Sequence, residues 1–300
     1  MGGVVIGSTM LEQFKKNERI IALTVNDHCQ CECPHCYLKT GNAGKKIISR
    51  EVIGKMWGMN PASVAVIGKE PLFNKESRKI MAEIILHGQA LGIPVSMITN
   101  GMNLRAFANE EMDALKELRH IDVSLDATTQ EHYTLCRPGG MLADAIDGMK
   151  AAQDCGVDVR LLHIIDSMTL PWIEETAAKS RELTSGIVMF SPLIETERAA
   201  GGHYTVKEVP LDEIIGALKS ASSFMSNSKA VILFDPYHCE FTGESMKEVK
   251  RAGAQLGSHL AIVEQTPEAL GIVRLTYDGF IMSPRLALDT ARYPSLAMQK

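Results

Sequence analysis

Four of the chain's seven cysteines fall within eight residues, Cys29-Gln30-Cys31-Glu32-Cys33-Pro34-His35-Cys36. Thiolates crowded in this way suit a soft metal better than a secreted disulfide framework. Cys29, Cys33 and Cys36 have the spacing Cys-x3-Cys-x2-Cys, which offers three thiolates from one loop. Iron-sulfur cubanes are usually held by four cysteines, so three would leave one iron open to a further ligand. The alternative is a structural zinc using all four, although ligands this close in sequence have little freedom to close a tetrahedron. Packing as ordinary core thiols conflicts with the polar neighbours Asn26, Asp27, His28, Gln30 and Glu32.

The elements that must hold this loop are legible as an alternation. Apolar, β-rich runs occupy Ile20 to Val25, Ser63 to Ile67, Pro94 to Ile98, Ile121 to Leu125, Val157 to Ile165 and Gly186 to Phe190. Helical spacing lies between them, over Arg50 to Met59, Lys75 to Leu91, Ala106 to Leu118, Met141 to Cys155 and Pro171 to Leu183. Repeated βα units predict a parallel sheet covered by helices, here a partial (β/α)6 TIM-type barrel. The cysteine loop follows the first strand and so belongs on the C-terminal rim, where function collects in such barrels. After about residue 195 the pattern changes to a helix over Leu211 to Met225, a strand over Ala230 to Phe234 and a hairpin turning at Asp278-Gly279. The expected division is an N-terminal extension (1–17), a barrel core (18–195) and a small C-terminal α+β cap or substrate region (196–300).

Composition narrows the function. Hydrophobic residues make up 45% and charged residues 22% of 300, an ordinary globular balance, and the net charge of -5 offers no basic field for nucleic acid or anionic lipid. No stretch approaches the roughly 18 uninterrupted apolar residues of a membrane span. The N-terminus lacks the basic and apolar regions of a secretory signal, so a cytoplasmic location is expected.

With these features in place, the chain resembles the radical S-adenosylmethionine (radical SAM) superfamily. The cysteine triad after a first strand, with His35 before its last member and Tyr37 after it, is similar to that family's signature. Gly68-Lys69-Glu70-Pro71 is similar to its Gly-Gly-Glu-Pro segment, with Lys69 in place of the second glycine. Thr99-Asn100-Gly101 and Ser124-Leu125-Asp126 resemble the segments that contact the nucleoside and methionine portions. The resemblance implies a 4Fe-4S cluster on Cys29, Cys33 and Cys36. It also implies S-adenosylmethionine (SAM) held by His35, Gly68, Glu70, Thr99, Asn100, Ser124 and Asp126, with Arg160 serving the methionine carboxylate. Reductive cleavage to a 5′-deoxyadenosyl radical, fed by a flavodoxin or ferredoxin, would abstract hydrogen from carbon.

The other candidates divide between packing and chemistry. Cys31 reads as a spare thiol, Cys136 and Cys155 read as packing, and Arg137 could meet an anionic group. His163 could face the cavity or be a satisfied core histidine, and Glu195 to Arg198 could be solvated or touch substrate. Some radical SAM epimerases return a hydrogen atom from a late thiol, which makes Cys239 the candidate donor. Beyond Cys155 the chain has only Cys239, so an auxiliary cluster is not expected. The terminal hairpin then resembles a twitch-type cap without cluster ligands, with Pro284 where a cysteine would stand. The expected activity is epimerisation or oxidation of a small natural product. The same chemistry on a ribosomally made peptide, or a non-catalytic zinc protein, stands as the alternative.

Overall fold

The computed structural model describes residues 19–36, 46–184, 186–193, 206–225, 231–234, 247, 251, 260–262, 272–279 and 281–282. Six parallel strands run in chain order: β1 (Ile20–Leu23), β2 (Ser63–Val66), β3 (Val95–Thr99), β4 (Ile121–Ser124), β5 (Val159–Ile165) and β6 (Ile187–Pro192). All four residues of β1 are buried, as expected for an inner strand covered on both faces. In β3 and β5 the burial alternates residue by residue. One face therefore packs against helices and the other lines a more open interior.

The covering helices are α1 (Arg50–Gly58), α2 (Lys75–Leu91), α3 (Leu104–Glu110), α4 (Met112–Lys116), α5 (Gln130–Cys136), α6 (Leu142–Asp154) and α7 (Ile173–Leu183). Their ends are set by local chemistry. Ser49, Asn74 and Thr129 each cap a helix by accepting from the backbone N–H three residues on, an interaction worth about 1 kcal/mol. Gly92 ends α2 in the left-handed conformation, with φ of 69°. The single helix expected over Ala106 to Leu118 is broken at Glu111, whose φ of -139° and ψ of 45° lie outside the helical region, giving α3 and α4. The short helix α5 was not foreseen, although Thr129 is a capping residue.

The last third of the chain joins the same sheet. After α8 (Leu211–Met225), β7 (Val231–Phe234) and β8 (Leu260–Ile262) extend it in parallel beyond β6. On the other side β9 (Ile272–Leu275) pairs in parallel with β1, and β10 (Ile281–Met282) folds back on β9 as the hairpin expected around Asp278-Gly279. The order is β10-β9-β1-β2-β3-β4-β5-β6-β7-β8, and among the described residues β8 and β10 do not meet. The partial barrel is thus as the alternation predicts, with the late strands continuing its sheet instead of forming one of their own.

Two backbone contacts fix the rim. Gly148 of α6 lies against the turn after β3, where an added Cβ would come within 2.1 Å of the Gly101 oxygen. Gly139 after α5 lies against the cysteine loop, where an added Cβ would meet the Gln30 oxygen at 2.5 Å.

Candidate active site

The cysteine loop leaves β1 and is tied down at once. Asn26 is buried; its Nδ2 donates to the Glu70 carbonyl at 2.9 Å and to Ser77 Oγ at 3.3 Å, and its Oδ1 accepts from His28 N at 2.9 Å. Glu70 N donates to the His28 carbonyl at 2.8 Å, so the loop after β1 and the loop after β2 are one unit. Cys29, Cys33 and Cys36 are half-buried, whereas Cys31 is buried and does not share their exposure.

Donors gather around the sulfurs. Cys31 N lies 3.4 Å from Cys29 Sγ, and Asn100 Nδ2 lies 3.9 Å from both Cys29 Sγ and Cys31 Sγ. One guanidinium nitrogen of Arg137 lies 3.6 Å from Cys33 Sγ. The Cys31 thiol beside them and the Arg137 charge hold Cys33 well below the usual thiol range, and the hydrogen bond from Cys31 also lowers Cys29. Cys31 itself is pushed up by its two sulfur neighbours, Cys29 and Cys33, and by burial. Metal ligation needs thiolates, so this donor set fits a cluster bound through Cys29 and Cys33 with Cys31 protonated. Among the described residues no three His, Cys, Asp or Glu side chains converge as they would around a single ion.

The rim segments after β2 and β3 are interlocked. Glu70 is buried; Oε1 accepts from Leu72 N at 3.0 Å and Thr99 Oγ1 at 2.7 Å, and Oε2 accepts from Asn100 N at 2.8 Å. Burial pushes the carboxyl up, against the lowering effect of these hydrogen bonds. Its carboxylate, expected to grip SAM, is thus largely committed to clasping β2 to β3, and the exposed group of the segment is Gly68. Gly68 has φ of 110°, whereas Asn60 is the only described residue other than glycine with positive φ. Lys69 therefore sits in ordinary backbone, and its replacement of a glycine brings no strain there. Thr99 Oγ1 also accepts from Gly101 N at 3.1 Å, and Asn100 Oδ1 accepts from Met102 N at 3.1 Å, which leaves the Asn100 amide aimed at the sulfurs.

The fourth rim segment carries charge. Ser124 ends β4 half-buried, and Asp126 is fully buried with Oδ1 accepting from Ile164 N at 2.8 Å. Asp126 Oδ2 lies 2.5 Å from Arg137 and 3.9 Å from His35 Nε2. The other ring nitrogen of His35 lies 3.6 Å from Asp166 Oδ2. Burial opposes charge on His35, but Asp166, Cys33 and Asp126 outweigh it and push its pKa up to about 10. Asp166 escaped the sequence reading, although a carboxylate directly after an apolar strand was the available signal. Its Oδ1 accepts from Met168 N and Thr169 N, which fixes the turn after β5.

Arg160 does not join this group. It is the second residue of β5, opposite Asp122, and its guanidinium pairs with Asp158 at 2.8 Å. At about 3.3 Å per residue it lies roughly 16 Å from the Ile165 end of the strand, away from the residues the rim brings together. His163 shares the core face of β5, edge-on to Phe190 at 5.2 Å, with neither ring nitrogen hydrogen-bonded. Cys136 is buried and donates to the Tyr133 carbonyl at 3.5 Å, in keeping with packing. Tyr37, Glu195 to Arg198 and the proposed donor Cys239 lie outside the described residues.

A family model described as the radical SAM superfamily matches residues 23–179. A GTP 3′,8-cyclase of Brucella ovis is 24% identical over 285 residues, covering 91% of this chain and 78% of that protein. A GTP 3′,8-cyclase of Petrotoga mobilis is 24% identical over 299 residues, covering 93% and 84%. Matches to several further Brucella cyclases cover 46% of those proteins. Among solved structures, SuiB of Streptococcus suis bound to its precursor peptide SuiA aligns with a TM-score of 0.66 at 12% identity, over 95% of this chain and 64% of SuiB. AdoMet-bound anSMEcpe aligns with a TM-score of 0.54 at 17% identity, over 71% of this chain and 63% of that one. This chain therefore spans a little under two thirds of either structure, and at these identities the likeness concerns the fold. The zinc alternative gives way to the family match.

Proposed function

Because this chain belongs to the radical SAM superfamily, a 4Fe-4S and SAM-dependent class of enzyme, we propose that it abstracts hydrogen from a carbon of a small molecule, in an epimerisation or oxidation. The observation that carries the reading is the half-buried triad Cys29, Cys33 and Cys36 on the rim loop after β1, with the Asn100 amide and Arg137 guanidinium turned to its sulfurs. In this reading the triad holds the cluster. Gly68, Asn100, Ser124, Asp126 and His35 border the SAM site, while Glu70 and Thr99 support it from behind. When bound, the cluster supplies one electron that splits SAM into methionine and a 5′-deoxyadenosyl radical. The protein's part is to fix geometry: the Glu70 clasp holds Asn100 against the sulfurs, and the buried Arg137–Asp126 pair holds a guanidinium beside Cys33.

A small-molecule substrate is favoured over a peptide because the sequence relatives that cover nine-tenths of the chain are named for GTP, a nucleotide. The core through residue 195 would carry the cofactors, and residues 196–300, whose strands extend the same sheet at both edges, would supply a twitch-like segment without cluster ligands that shapes the substrate side. A flavodoxin or ferredoxin is the proposed electron donor, and Cys239 the proposed hydrogen-atom donor.

The test is anaerobic reconstitution followed by reduction with SAM present. The expected result is a brown, sulfide-containing protein that releases 5′-deoxyadenosine, with cluster and product both lost in Cys33→Ala and both kept in Cys155→Ala. Absence of bound iron and sulfide in the unsubstituted protein would overturn the reading. Turnover in deuterated water then separates the subtypes: deuterium at a substrate carbon, lost in Cys239→Ala, supports an epimerase, and its absence an oxidation.

A further inference from the structure

Arg137 is 6% exposed and sits on the turn directly after α5. Its guanidinium bridges a sulfur and a carboxylate, with one terminal nitrogen 3.6 Å from Cys33 Sγ and the other 2.5 Å from Asp126 Oδ2, while the buried Nε has no hydrogen-bond partner. Arg78 shows what a structural arginine of the same fold does. It grips Glu110 through two nitrogens, each at 2.9 Å, and points its third at the Leu72 carbonyl. Arg137 forgoes such a two-pronged closure and turns a nitrogen toward sulfur instead. Its position is not slack: Glu32 N donates to the Pro138 carbonyl at 2.9 Å, and Gly139 abuts the Gln30 carbonyl, so the arginine's turn and the cysteine loop move together.

We propose that Arg137 is a positioning residue that sets the reduction potential of the cluster, acting on Cys33 through its charge and hydrogen bond while Asp126 aims it and moderates its field. The inference rests on the cluster reading above. Reduction adds negative charge to a thiolate-bound centre, and a cation beside one sulfur, shielded from water, stabilises the reduced form more than the oxidised one. Donation to the sulfur acts in the same direction by drawing electron density from the ligand. Asp126 opposes both effects in proportion to how closely it pairs with the guanidinium.

The experiment is an anaerobic redox titration of the reconstituted holoenzyme followed by electron paramagnetic resonance, comparing Arg137→Gln, Arg137→Lys and Asp126→Asn. The expected midpoint falls in Arg137→Gln, stays near that of the unsubstituted protein in Arg137→Lys, and rises in Asp126→Asn. A staple with no electronic role predicts otherwise: both members of the pair would loosen the loop alike and shift the midpoint in the same direction or not at all. Either result overturns the proposal. Should Arg137→Gln assemble no cluster, Asp126→Asn decides the matter, since an unchanged or lower midpoint there refutes it. Failure of the unsubstituted protein to bind iron and sulfide is a distinct outcome that removes the cluster reading and this inference together.

Discussion

Gly139→Ala should damage the cysteine loop selectively, and Gly156→Ala provides its control. Both glycines have φ of 84°, a conformation that costs an L-residue roughly 1–2 kcal/mol. They differ in what surrounds them: a Cβ at Gly156 meets nothing within 4 Å, whereas one at Gly139 would lie 2.5 Å from the Gln30 carbonyl oxygen. The neighbour is backbone and cannot rotate away, so relief requires the Arg137-Pro138-Gly139 turn and the Gln30–Cys33 segment to part. Overpacking of this kind adds about 1–3 kcal/mol. Gly156→Ala is thus expected to lose about 1–2 kcal/mol and Gly139→Ala about 2–5 kcal/mol, out of a typical total of about 5–15 kcal/mol. Urea unfolding of the reduced proteins measures the difference, and iron and sulfide per chain after reconstitution measures its effect on the site. Equal destabilisation of the two variants, with full cluster content in both, would refute the claim that this turn braces the loop.

Gly148→Ala places a Cβ 2.1 Å from the Gly101 oxygen and should lower the unfolding free energy read from urea titration by about 1–3 kcal/mol or more, whereas Gly54→Ala, open within α1, should raise it by about 0.5–1 kcal/mol; the reverse order would contradict the close packing of α6 on the turn after β3. His163 is held down to about 4 by burial, against the raising influence of Asp126 and Asp166. Its ordinary value is about 6.5, so between the two the unfolded chain binds the additional proton. The stability that depends on keeping this ring neutral is therefore complete above about 6.5 and declines by about 3 kcal/mol as pH falls toward 4. His163→Leu should flatten that decline in denaturant titrations from pH 7 to 4.5, and parallel curves for the two proteins would show that other groups cause it.

How much of this was legible in the sequence depends on distance along the chain. The six-strand core followed from the alternation of apolar runs and helical spacings, because each βα unit carries its own signal. The cysteine triad was legible for the same reason: its three members share one loop. The partner of Arg160 was not legible, because a resemblance assigns a role to a position but does not show that Asp158, two residues away, pairs with the guanidinium. The Glu70 clasp was hidden for a different reason, since its donors Thr99 and Asn100 belong to another strand and only the parallel pairing of β2 with β3 brings them within reach. Of the late strands, β7 and the β9–β10 hairpin are legible locally and the three-residue β8 is not, and which sheet they enter is a matter of non-local pairing that composition does not encode.

The pairing of β9 with β1 bears on how the protein matures. Ile20 to Leu23 are made early on the ribosome, yet one of their two neighbours is Ile272 to Leu275, and Thr24, where the cysteine loop begins, donates to the Leu275 carbonyl at 2.9 Å. During synthesis Ile20 to Leu23 therefore keep an unpaired, apolar strand edge beside the cysteine loop until Ile272 to Leu275 have been made. The loop that carries the cysteines thus takes one of its backbone supports from a strand made long after it.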